Sequence, residues 1–272
     1  MSYCRFLFEE QVLYGVVGLR GGEFWIVDLA PAPEEDLAYK LAHARATSWS
    51  FDFEPLPLRE ARLLAPVTPS KIVCVGRNYR DHAKELGNEV PTEPLLFFKP
   101  PSSLLPPGGV VRMPPQSERV DFEGELALVI GQRATKLKAD APWREVVRGC
   151  TLANDVTARD LQRKDGQWTR GKGFDTFCPV GPYIVPRYEV NLNSLRVRTF
   201  VDGEKKQDAG LTEMIFSVND IIAYVSAFMT LEPGDLIATG TPSGVGPLQP
   251  GSQVRVEIEG VGVLENTVVL EA

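Results

Sequence analysis

Short apolar runs separated by glycine and proline dominate the chain from Lys71 to the C-terminus. The runs typical of β-strands are KIVCVG, LLFFKP, GELALVIG, VGPYIV, LRVRTFVDG, DLIATG, QVRVEIEG and GVLENTVVL. Runs of this length, bounded by turn-forming residues, predict strands, and their number leaves little room for helices. The pattern therefore predicts an α+β fold that is rich in β-structure.

Two stretches in the same region predict helices. Asp140 and Pro142 provide a start signal for one helix through WREVVRG. Ser217 and Asp220 have the spacing of a capping box, which opens a second helix through NDIIAYVSAFM that ends before Pro233. Helices are thus expected to be the minority.

The first 65 residues have a different pattern and are predicted to form a small N-terminal α/β domain. VLYGVVGLRGGEFWIVDL alternates like a hairpin with its turn at Gly21–Gly22, and APEEDLAYKLAHARA has helical spacing. FEPLPLREARLLAPVTPS is interrupted by prolines and is expected to be extended. We place the boundary in this stretch, with residues 1–65 as the N-terminal domain and residues 66–272 as the larger C-terminal domain.

The composition limits the class of protein. Of the 272 residues 43% are apolar, which is enough to bury a full core. The net charge of −7 argues against a nucleic acid or an anionic membrane as the main partner. No apolar run approaches the ~20 residues of a membrane helix, and the first residues lack a signal-peptide pattern. The four cysteines are widely spaced and expected to be reduced, which predicts a cytoplasmic location.

Histidine is scarce in this chain, with only His43 and His82 present. Neither a histidine-rich nor a cysteine-rich ligand set is available, so a zinc enzyme is not expected. Any metal would be bound by oxygen, which suits Mg²⁺ and also Mn²⁺ or Ca²⁺.

The glycine-rich stretch TGTPSGVG does not match the motifs that it superficially suggests. It lacks the Lys-Ser/Thr pair of a phosphate-binding loop. Ser243 lies in G-T-P-S-G rather than in the G-x-S-x-G of a nucleophile elbow. Neither nucleotide binding nor serine-hydrolase chemistry is therefore predicted.

The run RVDFEGELALVIG places Glu123 and Glu125 on one face of a predicted strand. Two like charges beside an apolar run need either solvent or a cation between them. Asp155, in TLANDVTARD, follows another apolar run, where a single aspartate is alternatively a helix N-cap. Three carboxylates on separate elements are also the usual ligands of a hard dication. A solvated strand face, an N-cap and a metal site are therefore the alternatives.

The stretch GRNYRDHAKEL contains the second histidine. His82 and Glu85 are three residues apart, so on a helical turn they share a face and can form a hydrogen bond. A carboxylate that orients an imidazole raises its basicity, as deprotonation of a water requires. The alternative is an exposed turn with incidental charges.

Taken in order, seven stretches resemble the fumarylacetoacetate hydrolase family from about Lys71 to the C-terminus. They are GRNYRDHAKEL, PLLFFKP, DFEGELALVIG, NDVTARD, WTRGKGFDTFCPVGP, MIFSVNDIIAYVS and TLEPGDLIATGTPSGVG. The resemblance implies a β-roll core that binds a magnesium-type ion on an E-x-E pair and a later aspartate. Those ligands would be Glu123, Glu125 and Asp155.

The same resemblance implies further site residues and a homodimer. The catalytic residues would be His82 and Glu85 on a mobile lid together with Lys172 in RGKGFDTF. The substrate-binding residues would be Arg77, Tyr79, Lys99, Gln162 and Thr241, the last in a G-T-P-x-G loop at residues 240–244.

The resemblance is greatest to members that act on small anionic 2-oxo acids. It implies hydrolysis of a carbon–carbon bond in acylpyruvate-type 2,4-dioxo acids, with decarboxylation of oxaloacetate as a further activity. The alternatives are isomerisation of 2-hydroxyhepta-2,4-diene-1,7-dioate or a related decarboxylation in aromatic catabolism, and a non-catalytic protein that binds a metal and a 2-oxo acid.

Overall fold

A computed structural model describes residues 1–31, 33, 53–138 and 140–271 of the chain. The strands of the N-terminal part are β1 (Ser2–Phe8), β2 (Gln11–Arg20), β3 (Glu23–Ala30), β4 (Leu56–Pro57) and β5 (Arg62–Leu64). The next strands are β6 (Ile72–Gly76), β7 (Leu95–Lys99), β8 (Leu104–Leu105), β9 (Val110–Met113), β10 (Val120–Phe122), β11 (Gly124–Ile130), β12 (Val147–Asn154) and β13 (Thr157–Ala158). The last are β14 (Cys178–Pro186), β15 (Arg196–Val201), β16 (Glu204–Gly210), β17 (Leu236–Ala238), β18 (Gly246–Pro247), β19 (Gln253–Ile258) and β20 (Gly262–Leu270).

Helices are short and few in the described part of the chain. The α-helices are α1 (Arg80–Glu85), α2 (Arg159–Asp165), α3 (Thr169–Gly173) and α4 (Val218–Phe228). Single 3₁₀ turns lie at Leu58–Glu60, Pro101–Ser103, Trp143–Glu145, Leu192–Ser194 and Leu211–Glu213. The predicted β-rich α+β class is confirmed.

The described strands form three sheets. The largest has the order β4-β3-β2-β1-β14-β12-β11-β17-β6-β7, with β5 on β1 and β8 on β14. A five-stranded sheet has the order β16-β15-β19-β20-β9, and a small one the order β13-β10-β18. The five-stranded sheet packs against β11, β12 and β14, so the central strands of the large sheet lie in the interior.

Strand β11 is buried on both faces, and this determines where the acidic residues lie. Leu126, Leu128 and Ile130 belong to the main core cluster. Ala127 and Val129 point the other way, into a second cluster around β6, β14 and β17. Burial of both faces explains why the run reads as almost continuously apolar. A charged residue at the start of this strand is therefore drawn into the protein interior.

The strand predictions agree with the structure, since each of the eight predicted runs contains a strand. The hairpin at Gly21–Gly22 is also confirmed, because Arg20 pairs with Glu23 and both glycines have positive φ values of 59° and 87°. Such values favour glycine, which lacks the steric restriction of a Cβ atom. The helix predicted over APEEDLAYKLAHARA lies outside the described residues.

One helix prediction is wrong and the other is confirmed. The WREVVRG segment forms only the 3₁₀ turn at Trp143–Glu145 and then enters β12, whose residues pair with both β11 and β14. β-Branched Val146 and Val147 suit that buried position, and tertiary pairing overrides the helix-start signal. Helix α4 has the predicted capping box, in which Ser217 and Asp220 exchange hydrogen bonds.

The N-terminal strands are continuous with the large sheet. Tyr3 on β1 pairs with Ile184 on β14, and β5 pairs antiparallel with β1. The domain boundary between residues 65 and 66 stays a prediction. Among the helices that the structure describes, none has the length and apolar character needed to cross a membrane.

Candidate active site

A cavity of about 300 Å³ brings most of the predicted site residues together. Those that line it are Arg77, His82, Glu123, Glu125, Asp155, Gln162, Lys172 and Thr241. They come from stretches that are far apart in sequence. The predicted grouping of these residues is therefore present in the fold.

Pairing of β11 with β12 brings the three acidic residues together. Gly124 lies opposite Asn154, so Glu123 and Glu125, on either side of Gly124, lie close to Asp155, which follows Asn154. The Asp155 N–H donates to the Glu123 carbonyl at 2.8 Å. Each of the three side chains offers a carboxylate oxygen within 4.8 Å of the other two.

Burial and the start of α2 rule out the two alternatives for the acidic residues. Glu123 is 4% exposed, Glu125 2% and Asp155 1%, so this is not a solvated strand face. Asp155 is not an N-cap either, because α2 starts at Arg159 and has Ala158 at its N-cap position. A group of buried carboxylates with these contacts needs compensating positive charge.

Two lysines supply part of that charge. Lys172 Nζ lies 2.8 Å from Glu123 Oε2 and 2.5 Å from Asp155 Oδ2. Lys99 Nζ lies 2.6 Å from Asp155 Oδ1 and also donates to the Val156 carbonyl at 3.0 Å. Lys99 is 1% exposed and lies behind Asp155 instead of lining the cavity. Its predicted contact with substrate stays a prediction.

A third cation, Arg159, was not identified from the sequence. Its Nη2 donates to Glu123 Oε1, its Nε donates to Asp121 at 2.9 Å, and its Nη1 donates to Gln162 at 2.7 Å. Asp121 in turn accepts from Arg119 at 2.9 Å. The only signal for Arg159 was its place four residues after Asp155 in NDVTARD, and spacing alone does not distinguish it from a surface arginine.

These contacts control the ionisation of Glu123. Burial alone would raise the pKa of Glu123, but the positive charges of Lys172 and Arg159 outweigh that effect and hold it well below its ordinary value. Glu123 is therefore an anion in the folded protein.

Glu125 has a different environment. Its Oε2 accepts a hydrogen bond from the Gly240 N–H at 2.7 Å, and no lysine or arginine pairs with it among the described residues. Burial, together with the negative charges of Asp155 and Glu123, raises the pKa of Glu125 well above its ordinary value. A buried carboxylate without a cationic partner, next to two other carboxylates, fits a divalent cation bound by oxygen ligands.

The predicted pair of His82 and Glu85 is formed on α1. His82 Nδ1 lies 3.3 Å from Glu85 Oε2, and His82 is 4% exposed, so it does not lie on an exposed turn. Glu85 Oε1 accepts from the Gly244 N–H at 3.0 Å. Burial works against ionisation of Glu85, but the contacts with His82 and Gly244 lower its pKa. The pair thus leaves the second ring nitrogen of His82 for the cavity that this residue lines.

Arg77 and Tyr79 directly precede α1. Arg77 has a positive φ of 56°, and its guanidinium carbon lies 5.8 Å from the centre of the Trp168 ring. Trp168 lines the cavity and packs edge-on against Phe97 at 5.2 Å, a role that the sequence did not reveal. Tyr79 is 2% exposed and does not line the cavity, and its hydroxyl has no hydrogen-bond partner in the described part of the chain.

Comparison with known proteins gives consistent matches. Residues 71–269 match the family described as fumarylacetoacetate (FAA) hydrolase, C-terminal. A mitochondrial oxaloacetate tautomerase of Homo sapiens is 48% identical over 225 residues, which is 79% of this chain and 71% of that protein.

Two solved structures are also similar. The 2-hydroxyhepta-2,4-diene-1,7-dioate isomerase from Mycobacterium marinum is 40% identical with a TM-score of 0.83, and the match covers 100% of this chain and 99% of that one. The fumarylpyruvate hydrolase from Pseudomonas aeruginosa, in complex with Mn²⁺ and pyruvate, is 35% identical with a TM-score of 0.69, and the match covers 76% of this chain and 91% of that one.

Proposed function

Because this chain belongs to the fumarylacetoacetate hydrolase family, we propose that its cavity binds a small anionic 2-oxo acid together with one divalent cation. Glu123, Glu125 and Asp155 would hold the cation, with Mg²⁺ as the expected ion and Mn²⁺ or Ca²⁺ as alternatives. A bound dication supplies Lewis-acid stabilisation of negative charge that develops on the keto oxygen of the substrate. The Mn²⁺ and pyruvate bound by the Pseudomonas aeruginosa relative support this assignment.

Cationic side chains would hold the substrate carboxylate. Lys172 already contacts Glu123 and Asp155, so its charge is shared among several anions. Arg77 lines the cavity and has no acidic partner among the residues that the structure describes. We therefore assign the main contact with the substrate anion to Arg77, through a charge-assisted hydrogen bond.

The function best supported is interconversion of the keto and enol forms of a 2-oxo acid. The observation that carries it is buried His82, which lines the cavity that contains the acidic triad and is paired with the partly exposed Glu85. His82 removes a proton from the carbon next to the keto group, that C–H bond breaks, and the keto oxygen acquires a proton from solvent. Protonated His82 then releases its proton to solvent, so no proton is gained or lost overall, and the reverse steps convert the enol to the ketone. The similarity to the human tautomerase and to the Mycobacterium marinum isomerase supports keto–enol interconversion as the first candidate.

Hydrolysis of a carbon–carbon bond in acylpyruvates is the second candidate. Here His82 would take a proton from water, which attacks the distal carbonyl. The electrons of the cleaved bond remain on the pyruvate fragment, which is then protonated. The observation that favours it is the same His–Glu pair, which can activate water, together with the similarity to a fumarylpyruvate hydrolase.

A substrate panel separates these candidates. The purified protein is incubated with Mg²⁺ or Mn²⁺ and with oxaloacetate, acetylpyruvate, fumarylpyruvate or 2-hydroxyhepta-2,4-diene-1,7-dioate. Deuterium uptake from heavy water without release of pyruvate reports proton transfer. Release of pyruvate from acetylpyruvate or fumarylpyruvate reports hydrolysis, whereas release of pyruvate from oxaloacetate reports decarboxylation. Metal binding without turnover of any compound would contradict both candidates and favour the non-catalytic binding protein. The expected homodimer and cytoplasmic location stay predictions, and light scattering at micromolar concentration tests the first.

A further inference from the structure

Gln207 forms hydrogen bonds with both the Glu123–Glu125 segment and the loop at residues 240–244. It lies on β16 of the five-stranded sheet and is 1% exposed. Its Oε1 accepts from the Gly124 N–H at 3.0 Å. Its Nε2 donates to Thr241 Oγ1 and to the Pro242 carbonyl, each at 2.8 Å. One side chain therefore contacts both the Glu123–Glu125 segment and the loop at residues 240–244.

The loop at residues 240–244 forms hydrogen bonds with members of both the acidic triad and the His82–Glu85 pair. Its first N–H, from Gly240, donates to Glu125, and its last, from Gly244, donates to Glu85. Thr241 Oγ1 donates to the Gly124 carbonyl at 2.9 Å. The loop thus links the acidic triad to the His82–Glu85 pair through hydrogen bonds at both of its ends.

Close packing leaves this link little freedom. A Cβ atom at Gly124 would collide with Thr199 Oγ1, and one at Gly244 would collide with the Lys206 carbonyl on β16. Gly240 and Gly244 also have positive φ values of 102° and 99°, which L side chains rarely adopt. Glycine at these positions lets the loop and β11 approach β16 closely enough for the Gln207 side chain to reach both.

We infer that Gln207 is a positioning residue, which holds the loop in register with the Glu123–Glu125 segment and so sets the place of the His82–Glu85 pair relative to the acidic triad. Gln207 does not line the cavity, so it acts through these groups and not on substrate. The catalytic part of this inference rests on the proposed function, whereas the positional part is measurable without turnover.

Hydrogen–deuterium exchange tests the positional part. In Gln207→Met, peptides covering residues 80–86 and 240–246 should both exchange faster, by about five-fold or more, as expected for loss of a hydrogen bond. Thr199→Val is the matched control, because Thr199 is equally buried and lies against Gly124, yet its hydroxyl has no partner among the described residues. Faster exchange confined to β16, or equal changes in the control, would overturn the inference.

Gln207→Glu is the second variant, and its melting temperature is measured first to show that it folds. Its carboxylate keeps an acceptor for the Gly124 N–H but lacks the amide donor to Thr241 and Pro242. The inference requires faster exchange of both peptides in this variant too, because the contact with the loop is the one that is lost. Unchanged exchange of residues 80–86 would contradict it.

A double-mutant cycle tests the catalytic part. With His82 present, Gln207→Met should lower kcat by about 10–100-fold through misplacement of the base, with a smaller change in KM. In a His82→Gln background the same change should have little further effect, because the base that it positions is gone. Additive losses would overturn a positioning role. An inactive wild-type protein would instead refute the proposed function, and the exchange experiment would still decide the inference.

Discussion

Lys172 Nζ lies 2.8 Å from Glu123 Oε2 in the interior of the protein, and the same ammonium group contacts Asp155. Both carboxylates are proposed ligands of the dication. The ammonium group therefore neutralises the anions that a metal ion would also neutralise. Stability and metal binding should consequently be coupled through this one side chain.

The first prediction concerns Lys172→Met. Removal of one partner of a buried ion pair costs about 3–5 kcal/mol, so the metal-free variant should unfold at a lower temperature. A dication would replace part of the missing charge, so Mn²⁺ should raise the melting temperature of the variant more than that of the wild type. Activity should fall on every substrate, because the site no longer holds Glu123 and Asp155 in place.

Lys71→Met is the control for that experiment, and thermal unfolding with and without Mn²⁺ is the measurement. Lys71 pairs with buried Asp235, which does not line the cavity. This change should destabilise the protein but leave its metal-induced shift equal to that of the wild type. Equal metal-induced shifts for Lys172→Met and the wild type would refute the coupling.

The second prediction concerns Glu125→Gln in the metal-free protein. Burial and the charges of Asp155 and Glu123 raise the pKa of Glu125 above its ordinary value of 4.5. The folded protein thus binds this proton more tightly than the unfolded chain. The associated stability is complete at low pH and is lost as the pH rises through the folded-state pKa. Glutamine does not titrate. Metal-free Glu125→Gln should therefore lose less stability than the wild type as the pH rises above the ordinary pKa of a glutamate side chain.

The same variant should bind metal poorly, since it lacks one carboxylate ligand. Isothermal titration with Mn²⁺ should show a dissociation constant raised by at least about 10–100-fold. Glu265→Gln, which removes a carboxylate that is 67% exposed, should change neither property. A metal affinity equal to that of the wild type would remove Glu125 from the ligand set.

The sequence predicted features that depend on neighbouring residues better than features that depend on contacts distant in the chain. Strands such as Ile72–Gly76 follow from short apolar runs between turn residues, and the capping box at Ser217 follows from a spacing of three residues. The helix predicted from Asp140 failed, because the strand at Val147–Asn154 is buried on both faces and lacks a two-residue alternation.

The site shows the same distinction. Local pattern singled out Glu123, Glu125 and His82 as candidates, but it left a solvated strand face and an exposed turn open, and the family resemblance was needed to assign their roles. Gln207 contacts Gly124 across 83 residues, and Arg159 contacts Glu123 across 36. Nothing in the local sequence distinguishes these two residues from surface residues. Only the strand pairing and the packing of the two sheets show which groups they contact.

The third prediction tests a local signal. Ser217→Ala removes the side chain that accepts from the Asp220 N–H at the start of helix Val218–Phe228. Loss of such a cap lowers the free energy of unfolding by about 0.5–2 kcal/mol, and urea titration measures it. Ser102→Ala, at an exposed 3₁₀ turn, should change stability by less than about 0.5 kcal/mol. Equal effects of the two variants would show that the cap contributes nothing.

The last prediction separates the chemistries that share this cavity. His82→Gln keeps size and polarity but removes the base, so keto–enol interconversion and acylpyruvate hydrolysis should each fall by about 10²–10⁴-fold in kcat/KM. Decarboxylation of oxaloacetate should fall much less, because departure of carbon dioxide requires no proton abstraction. Glu85→Gln should act in the same direction but more mildly, since Glu85 orients the imidazole without transferring the proton itself.

Asp81→Asn is the matched control for these two variants, because Asp81 lies on the same helix and its side chain is 75% exposed. The measurement is kcat/KM on each substrate at saturating Mg²⁺, with an unchanged melting temperature as the check on folding. Equal losses in proton transfer and in decarboxylation for His82→Gln would show that the residue holds the substrate instead of acting as a base. In that case the proposed role of the His82–Glu85 pair would be wrong, whatever the metal site contributes.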